Sequence, residues 1–319
     1  MNFWNKLPKP FFALAPMEDV TDVVFRQVIE RAAPPDAFFT EFMNVSGFCH
    51  PEGKKNVARR LRRYESDLPL VAQIWGKNPE DFANTAKELS SSFSGIDINM
   101  GCPDKSVIKA GGGSALIKNP ELAVKIINSV KSCKQNIALS VKTRLGYSNI
   151  DESQSWLIIL LEQNLDAITI HLRTRKEMSK VPAHHELIPK IVRLRNSIAP
   201  NTKLIINGDI RDREHGEEIV RQNPGVDGIM IGRGVFANPY CFENRQSKHS
   251  KENLIELLRY HLDTFDAQEK EVGYNPKYEI LKKFFKIYIN NFAGASDLRS
   301  QLMSTKSTNE ARKVMSELN

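Results

Sequence analysis

Eight short apolar runs recur along the first three-quarters of this 319-residue chain. They are "FFALAP" from Phe11, "AFFTEF" from Ala37, "LVAQIW" from Leu70 and "GIDINMG" from Gly95, then "ALSVKTR" from Ala138, "AITIHLR" from Ala167, "KLIING" from Lys203 and "GIMIGRG" from Gly228. Mostly apolar runs of this length read as strands buried on both faces. Amphipathic helical stretches lie between them. "NPEDFANTAKELSSSF" puts Phe82, Ala86 and Leu89 on one face, and "NPELAVKIINSVKSC" does so with Leu122, Ile126, Ile127 and Val130. Both open on Asn-Pro, an N-cap followed by proline at the first helical position. Strand and helix alternating eight times predict an α/β fold, a (β/α)8 TIM barrel over residues 1–245. An open doubly wound sheet is the alternative, but no G-x-G-x-x-G follows any of the strands. After the polar stretch "NRQSKHSKEN" only helical periodicity remains: "ENLIELLRYHLDTFDAQ", "PKYEILKKFFKIYINNF", "ASDLRSQLMST" and "STNEARKVMSEL". This predicts a small C-terminal all-helical domain over residues 246–319.

Composition limits the classes of function. With 41% hydrophobic and 26% charged residues, the chain has the balance of a soluble globular protein. No N-terminal apolar signal segment is present, and "WLIILL" is too short to span a bilayer, so neither secretion nor a membrane partner is expected. Cys49, Cys102, Cys133 and Cys241 are far apart and form no CxxC pair. A disulfide framework or metal site is therefore not expected, and a reducing cytoplasm is. The net charge of +7 is compatible with a basic face that meets phosphates and equally with simple solubility.

In a barrel of this kind the active site lies at the C-terminal ends of the strands. The polar residues predicted there are Glu18, Glu41, Gln73, Asn99 with Cys102, Lys142 with Arg144, His171 with Arg173, Asn207 with Asp209, and Arg233. Burying Lys142, His171 and Gln73 costs several kcal/mol unless something pairs with them, so polar residues at every strand end point to a bound polar ligand. "NGDI" and "IGRG" after the seventh and eighth strands supply glycines for close backbone approach, and Arg233 supplies a guanidinium suited to phosphate. Lys142 can hold negative charge on a reduced isoalloxazine, and Gln73 can bond its pyrimidine edge. FMN meets these requirements, and so does a sugar phosphate.

One run is more specific. "IDINMGCPDKSVIKAGGGSAL" resembles the signature of the tRNA-dihydrouridine synthase family: Asp97, Asn99, Gly101, Cys102 and Pro103, then Gly113 and Ser114. The resemblance extends through "LAPMEDVTD", "VAQIWG", "SVKTRLG", "ITIHLRTR", "IINGDI" and "IMIGRGVFANPYCF", so it covers the whole predicted barrel. It implies an FMN enzyme that reduces the C5=C6 bond of particular uridines in tRNA, with NADPH or NADH as the electron source. By position, Pro16, Met17, Glu18, Gln73, Lys142, His171, Asn207, Gly208, Asp209, Gly232 and Arg233 would hold FMN. Asn99, Arg144 and Arg173 would face the flipped uracil beside Lys142 and His171. Hydride would pass from flavin N5 to uracil C6, and Cys102 would give the proton to C5. A thiol suits that role because its ordinary pKa of about 8.5 keeps it protonated at neutral pH. The chain departs from the family pattern at Leu172 and Asp19, both usually Gly, and in "KEMSKVPAHHEL", which lacks an aromatic-Gly character. These changes fall on the substrate side.

"HPEGKKNVARRLRRYESD" gathers Lys54, Lys55, Arg59, Arg60, Arg62 and Arg63 after the second strand, a candidate surface for tRNA phosphates. Phe284, Phe285 and Tyr288 in "LKKFFKIY" are expected to be helix core rather than stacking platforms. The glycine triplet Gly111–Gly113 is expected to let its loop move as a nucleotide enters. The chain is expected to act as a monomer. The competing reading is an FMN barrel acting on a free pyrimidine, similar to dihydroorotate dehydrogenase, which needs neither the basic stretch nor the helical domain.

Overall fold

The computed structural model describes residues 2–133, 137–245, 247–272, 277–290 and 292–317. Of the predicted helical segments, Pro276, Asn291 and Leu318 lie outside the described residues, as does Gln246 of the predicted linker. The strands are β1 (Phe11–Leu14), β2 (Phe38–Phe39), β3 (Met43–Asn44), β4 (Leu70–Trp75), β5 (Gly95–Met100), β6 (Ala138–Arg144), β7 (Ala167–His171), β8 (Lys203–Asn207) and β9 (Gly228–Ile231). All pair in parallel, in the order β1-β9-β8-β7-β6-β5-β4-β2, with β3 also on β4. A bridge between Ala13 and Ala37 brings β1 beside the other end of this order. The result is the expected (β/α)8 barrel, nearly closed. Its second position is split into β2 and β3, where the sequence suggested one strand.

Side chains alternate across the pleat, and this alternation builds the site. On the inward face the lower layers are apolar: Phe11, Ala13, Phe39, Val71, Ala138, Ala167, Ile205 and Met230 cluster there, closed from below by Trp4. Two residues further along β4, β6, β7 and β8, the same face turns polar. Val71 is followed by Gln73, Ala138 by Ser140 and Lys142, Ala167 by Thr169 and His171, and Ile205 by Asn207. The outward face packs Leu14, Ile74, Ile98, Val141, Ile170, Ile206 and Ile231 against the surrounding helices.

After β9 come a single helical turn at Gly234–Ala237, the helix Lys251–Val272, two single turns at Glu279–Lys282 and Phe285–Tyr288, then Ala295–Ser304 and Thr308–Ser316. The second of the predicted C-terminal helices, "PKYEILKKFFKIYINNF", is thus interrupted. Phe284, Phe285 and Tyr288 are buried, as expected of core. Phe284 stacks on Phe25 of the barrel helix Val23–Ala32, with ring centroids 4.8 Å apart. The Tyr288 hydroxyl bonds His261 Nδ1 at 2.7 Å. One apolar cluster includes both these residues and the barrel's outer core. No helix among the described residues is long and apolar enough to cross a membrane.

Candidate active site

A cavity of about 790 Å³ opens at the C-terminal ends of the strands. Pro16, Met17, Gln73, Asn99, Cys102, Lys142, Arg144, His171, Asn207, Gly208, Asp209, Gly232 and Arg233 all line it. Strand register brings them together: Gln73 is level with Asp97, Asn99 with Lys142, and His171 with Arg144 on one side and Asn207 on the other.

Two expected residues lie elsewhere. Glu18 is outside the lining and pairs with Arg60 of the basic segment. Arg173 is buried beneath the lining. Its guanidinium pairs with Asp209, donates to the Val181 carbonyl at 2.6 Å, and comes within 3.2 Å of His171 Nε2. Arg144 lines the cavity, but its own hydrogen bonds go to the carbonyls of Gly101 (2.8 Å), Thr174 (3.1 Å) and Met178 (3.3 Å). The two arginines therefore tie the loop after β7 to the Cys102 turn and to Asp209.

Cys102 follows β5. Its backbone N–H donates to Asn99 Oδ1 at 2.9 Å, and its carbonyl accepts from the Ser114 N–H at 3.0 Å. Burial raises the thiol pKa, and the nearby Asp104 and Glu18 carboxylates add to this, so the sulfur holds its proton at neutral pH. The glycine loop behind it is closely packed. Gly113 has φ +57°, and a Cβ there would stand 2.9 Å from the Cys102 carbonyl oxygen.

Lys142 contributes an amine to the lining. Its Nζ lies 3.3 Å from Asn207 Oδ1, and burial, reinforced by Arg144, lowers its pKa to about 8. It remains largely protonated at neutral pH. Burial and then the charges of Arg144, Lys142, Arg173 and Arg233 hold the His171 pKa well below 6.5, so its imidazole is neutral. Beneath the floor, the buried Asp97 carboxylate accepts from Ser140 Oγ (2.6 Å) and Gln73 Nε2 (2.7 Å), and burial raises its pKa to about 6.

Asp209 is held in the left-handed region at φ +51°. It accepts from Arg173, from the Ala183 N–H (2.9 Å) and from Arg233 (2.9 Å). Burial opposes its charge, but the Arg173 hydrogen bond and these other donors outweigh that and lower its pKa. Asp19 also takes a left-handed φ of +54°, which accounts for the glycine usual at this position in the pattern. Its N–H is held by Glu41 Oε1 at 2.8 Å, and its carbonyl accepts from Lys283 of the C-terminal helices. Leu172, the other departure, is fully buried.

Phe42, Ser179, Arg211, Asp212 and Asn238 also line the cavity, and the strand-end reading did not name them. All come from loops. Arg211 had a signal in "NGDIRD", where a second arginine follows the strand end opposite Arg233. Phe42 had none, because it sits in the break between β2 and β3.

A profile described as "Dihydrouridine synthase (Dus)" matches residues 13–318. A "Probable tRNA-dihydrouridine synthase" of Staphylococcus aureus (strain COL) is 52% identical over 317 residues, covering 99% of this chain and 95% of that protein. A "Probable tRNA-dihydrouridine synthase 2" of Bacillus subtilis (strain 168) is 52% identical over 315 residues, with 98% and 95% covered. The matches run through the barrel and the C-terminal helices alike, and the chain belongs to the dihydrouridine synthase family.

Proposed function

We propose that this chain is a flavin-dependent oxidoreductase that reduces the C5=C6 bond of uridine in tRNA to 5,6-dihydrouridine, with FMN in the cavity and NADPH or NADH as reductant. The observation that carries this reading is a protonated thiol, Cys102, on the rim of a cavity that also presents the Lys142 cation and the neutral His171 imidazole.

The cavity suits FMN. Its volume lies within the usual range of about 300–1,000 Å³ for cofactor sites. Arg233 and Arg211 on the loops after β9 and β8 offer guanidinium groups for a phosphate. Gly232 leaves the wall open where a Cβ would approach Ala15 and Met17 to 3.4 and 3.7 Å. Pro16, Met17, Gln73, Lys142, His171, Asn207, Gly208, Asp209, Gly232 and Arg233 would hold the cofactor, whose contribution when bound is the hydride for uracil C6.

The chain's own residues supply the rest. Cys102 Sγ carries the proton destined for C5, and Asn99 fixes the turn that presents it. Lys142 stabilises the negative charge that develops on the uracil O4–C5 enolate, an effect strengthened by its dry surroundings. The neutral His171 imidazole bonds without adding charge. Arg144 and Arg173 shape the wall by holding the loop after β7. The uridine must leave its stack to reach this depth, and the C-terminal helices with the basic segment Lys54–Arg63 offer the surface on which tRNA would rest. Four free thiols suit a reducing cytoplasm.

Nucleoside mass spectrometry of tRNA from a strain lacking this chain tests the reading. Loss of dihydrouridine at one or more positions, restored by the gene, supports it. Full dihydrouridine in a strain with no second such enzyme would end it.

A further inference from the structure

A chain of hydrogen bonds runs beneath the cavity floor from a buried carboxylate to the Cys102 turn. Asp97, Gln73 and Ser140 are essentially inaccessible, and Asn99 is nearly so. Asp97 is acceptor-only when ionised, so both of its partners must donate. Ser140 Oγ donates to one oxygen at 2.6 Å, and Gln73 Nε2 donates to the other at 2.7 Å. This choice settles which end of the Gln73 amide faces Asn99. Gln73 Oε1 accepts from Asn99 Nδ2 at 3.0 Å. Asn99 Oδ1 is thereby turned to the backbone, where it accepts from the Gly101 N–H at 3.1 Å and the Cys102 N–H at 2.9 Å.

We propose that Asp97 is a positioning residue: it fixes the polarity of the Gln73 and Asn99 amides, and through them the Cys102 turn. The idea rests on the proposed function for what Cys102 does, but the relay itself does not depend on it. Each of the two amides keeps one N–H that these bonds do not use, and both lone pairs of Asn99 Oδ1 are taken. The fixed polarity therefore leaves an N–H on each amide for ligand edges that carry acceptors, such as carbonyl oxygens or imine nitrogens. A reversed relay would instead aim an amide N–H at the Cys102 N–H, and the turn would lose its cap.

The polarity can be tested by turning the relay around. Asn99→Asp keeps acceptors for the Gly101 and Cys102 N–H groups but sets a carboxylate oxygen against Gln73 Oε1. Gln73 must flip, and its oxygen then meets Asp97. Adding Asp97→Asn provides an N–H for that flipped oxygen, while its own oxygen still accepts from Ser140. Every group is again partnered, with the direction reversed. Asp97→Ala cannot provide this.

Thermal unfolding of the purified proteins is the first readout. Asn99→Asp is expected to lower the midpoint by about 5 °C or more. Asp97→Asn should restore most of that deficit in the double variant, and Asp97→Ala in the same background should not. The second readout is steady-state kinetics of Asp97→Asn alone, in which both polarities become accessible. A fall of about fivefold in kcat, with KM for tRNA within about twofold, is expected of a residue acting through Cys102. Failure of Asp97→Asn to rescue, equal rescue by alanine, or a change in KM alone would overturn the proposal. Wild-type protein that leaves tRNA unreduced would sink the proposed function instead, and the thermal rescue would still report on the relay.

Discussion

At the scale of single residues, the site places a thiol, Cys102, and an amine, Lys142, in one lining. Cys102→Ala is expected to keep the fold and bound FMN, because the Asn99 and Ser114 contacts to residue 102 are made through its backbone. Uridine reduction should slow by roughly 10²- to 10⁴-fold, the usual contribution of a positioned acid. Single-turnover reduction of tRNA by pre-reduced enzyme measures this, and a fully active alanine variant would require another donor. The pH dependence distinguishes the two groups. Lys142 is charged below its pKa of about 8 and loses that charge as the pH rises through it. The Cys102 thiol, raised by burial, keeps its proton over the same range. Activity should therefore decline above about pH 8. In Lys142→Arg, whose guanidinium does not titrate there, whatever activity remains should lose this alkaline limb. A limb that persisted unchanged would assign it to another group.

At the scale of elements, the strand ends were legible because period-two alternation and parallel burial leave a plain pattern. The seventh and eighth predicted strands, β8 and β9, carry "NGD" and "GRG" where the barrel rule expects a phosphate site. The break between β2 and β3 was not legible, since "AFFTEF" reads as one run, whereas pairing with β4 stops at Phe39 and resumes at Met43, beyond that run. The glycine triplet shows the same limit. Sequence suggests freedom, whereas the structure shows close packing behind Cys102. Gly113→Ala should cost about 1–3 kcal/mol. The new Cβ would meet Val107 at 2.8 Å and the Cys102 oxygen at 2.9 Å while φ stays at +57°. Chemical denaturation measures the destabilisation, and turnover should fall with it as the thiol is displaced. An alanine variant of unchanged stability would mean the loop has room to relax.

At the scale of the whole molecule, the basic segment and the C-terminal helices flank the same end of the barrel. Arg60 reaches Glu18 beside the cavity, and Lys283 reaches the Asp19 carbonyl. Lys55, Arg59 and Arg63 are the exposed members of the segment. Reversing them to Glu should raise KM for tRNA with little change in kcat. It should also flatten the dependence of binding on salt, by about one unit of slope for each phosphate no longer neutralised. Titrations of tRNA binding at several salt concentrations measure the affinity and the slope together. Unchanged values of both would place the tRNA elsewhere.

The sequence by itself determined the barrel, the strand ends that form the cavity and the place of Cys102 at its rim. Local periodicity and short motifs encode those features directly. Only the tertiary structure decided which polar residues reach the cavity. Arg173 and Glu18 look like ligand-binding groups in one dimension, yet each is satisfied by a partner far along the chain, Asp209 and Arg60. The same holds for Asp97, whose influence on Cys102 passes through hydrogen bonds across adjacent strands. Burial and hydrogen-bond partnership are properties of neighbours in space, and strand pairing brings those neighbours together from distant parts of the chain.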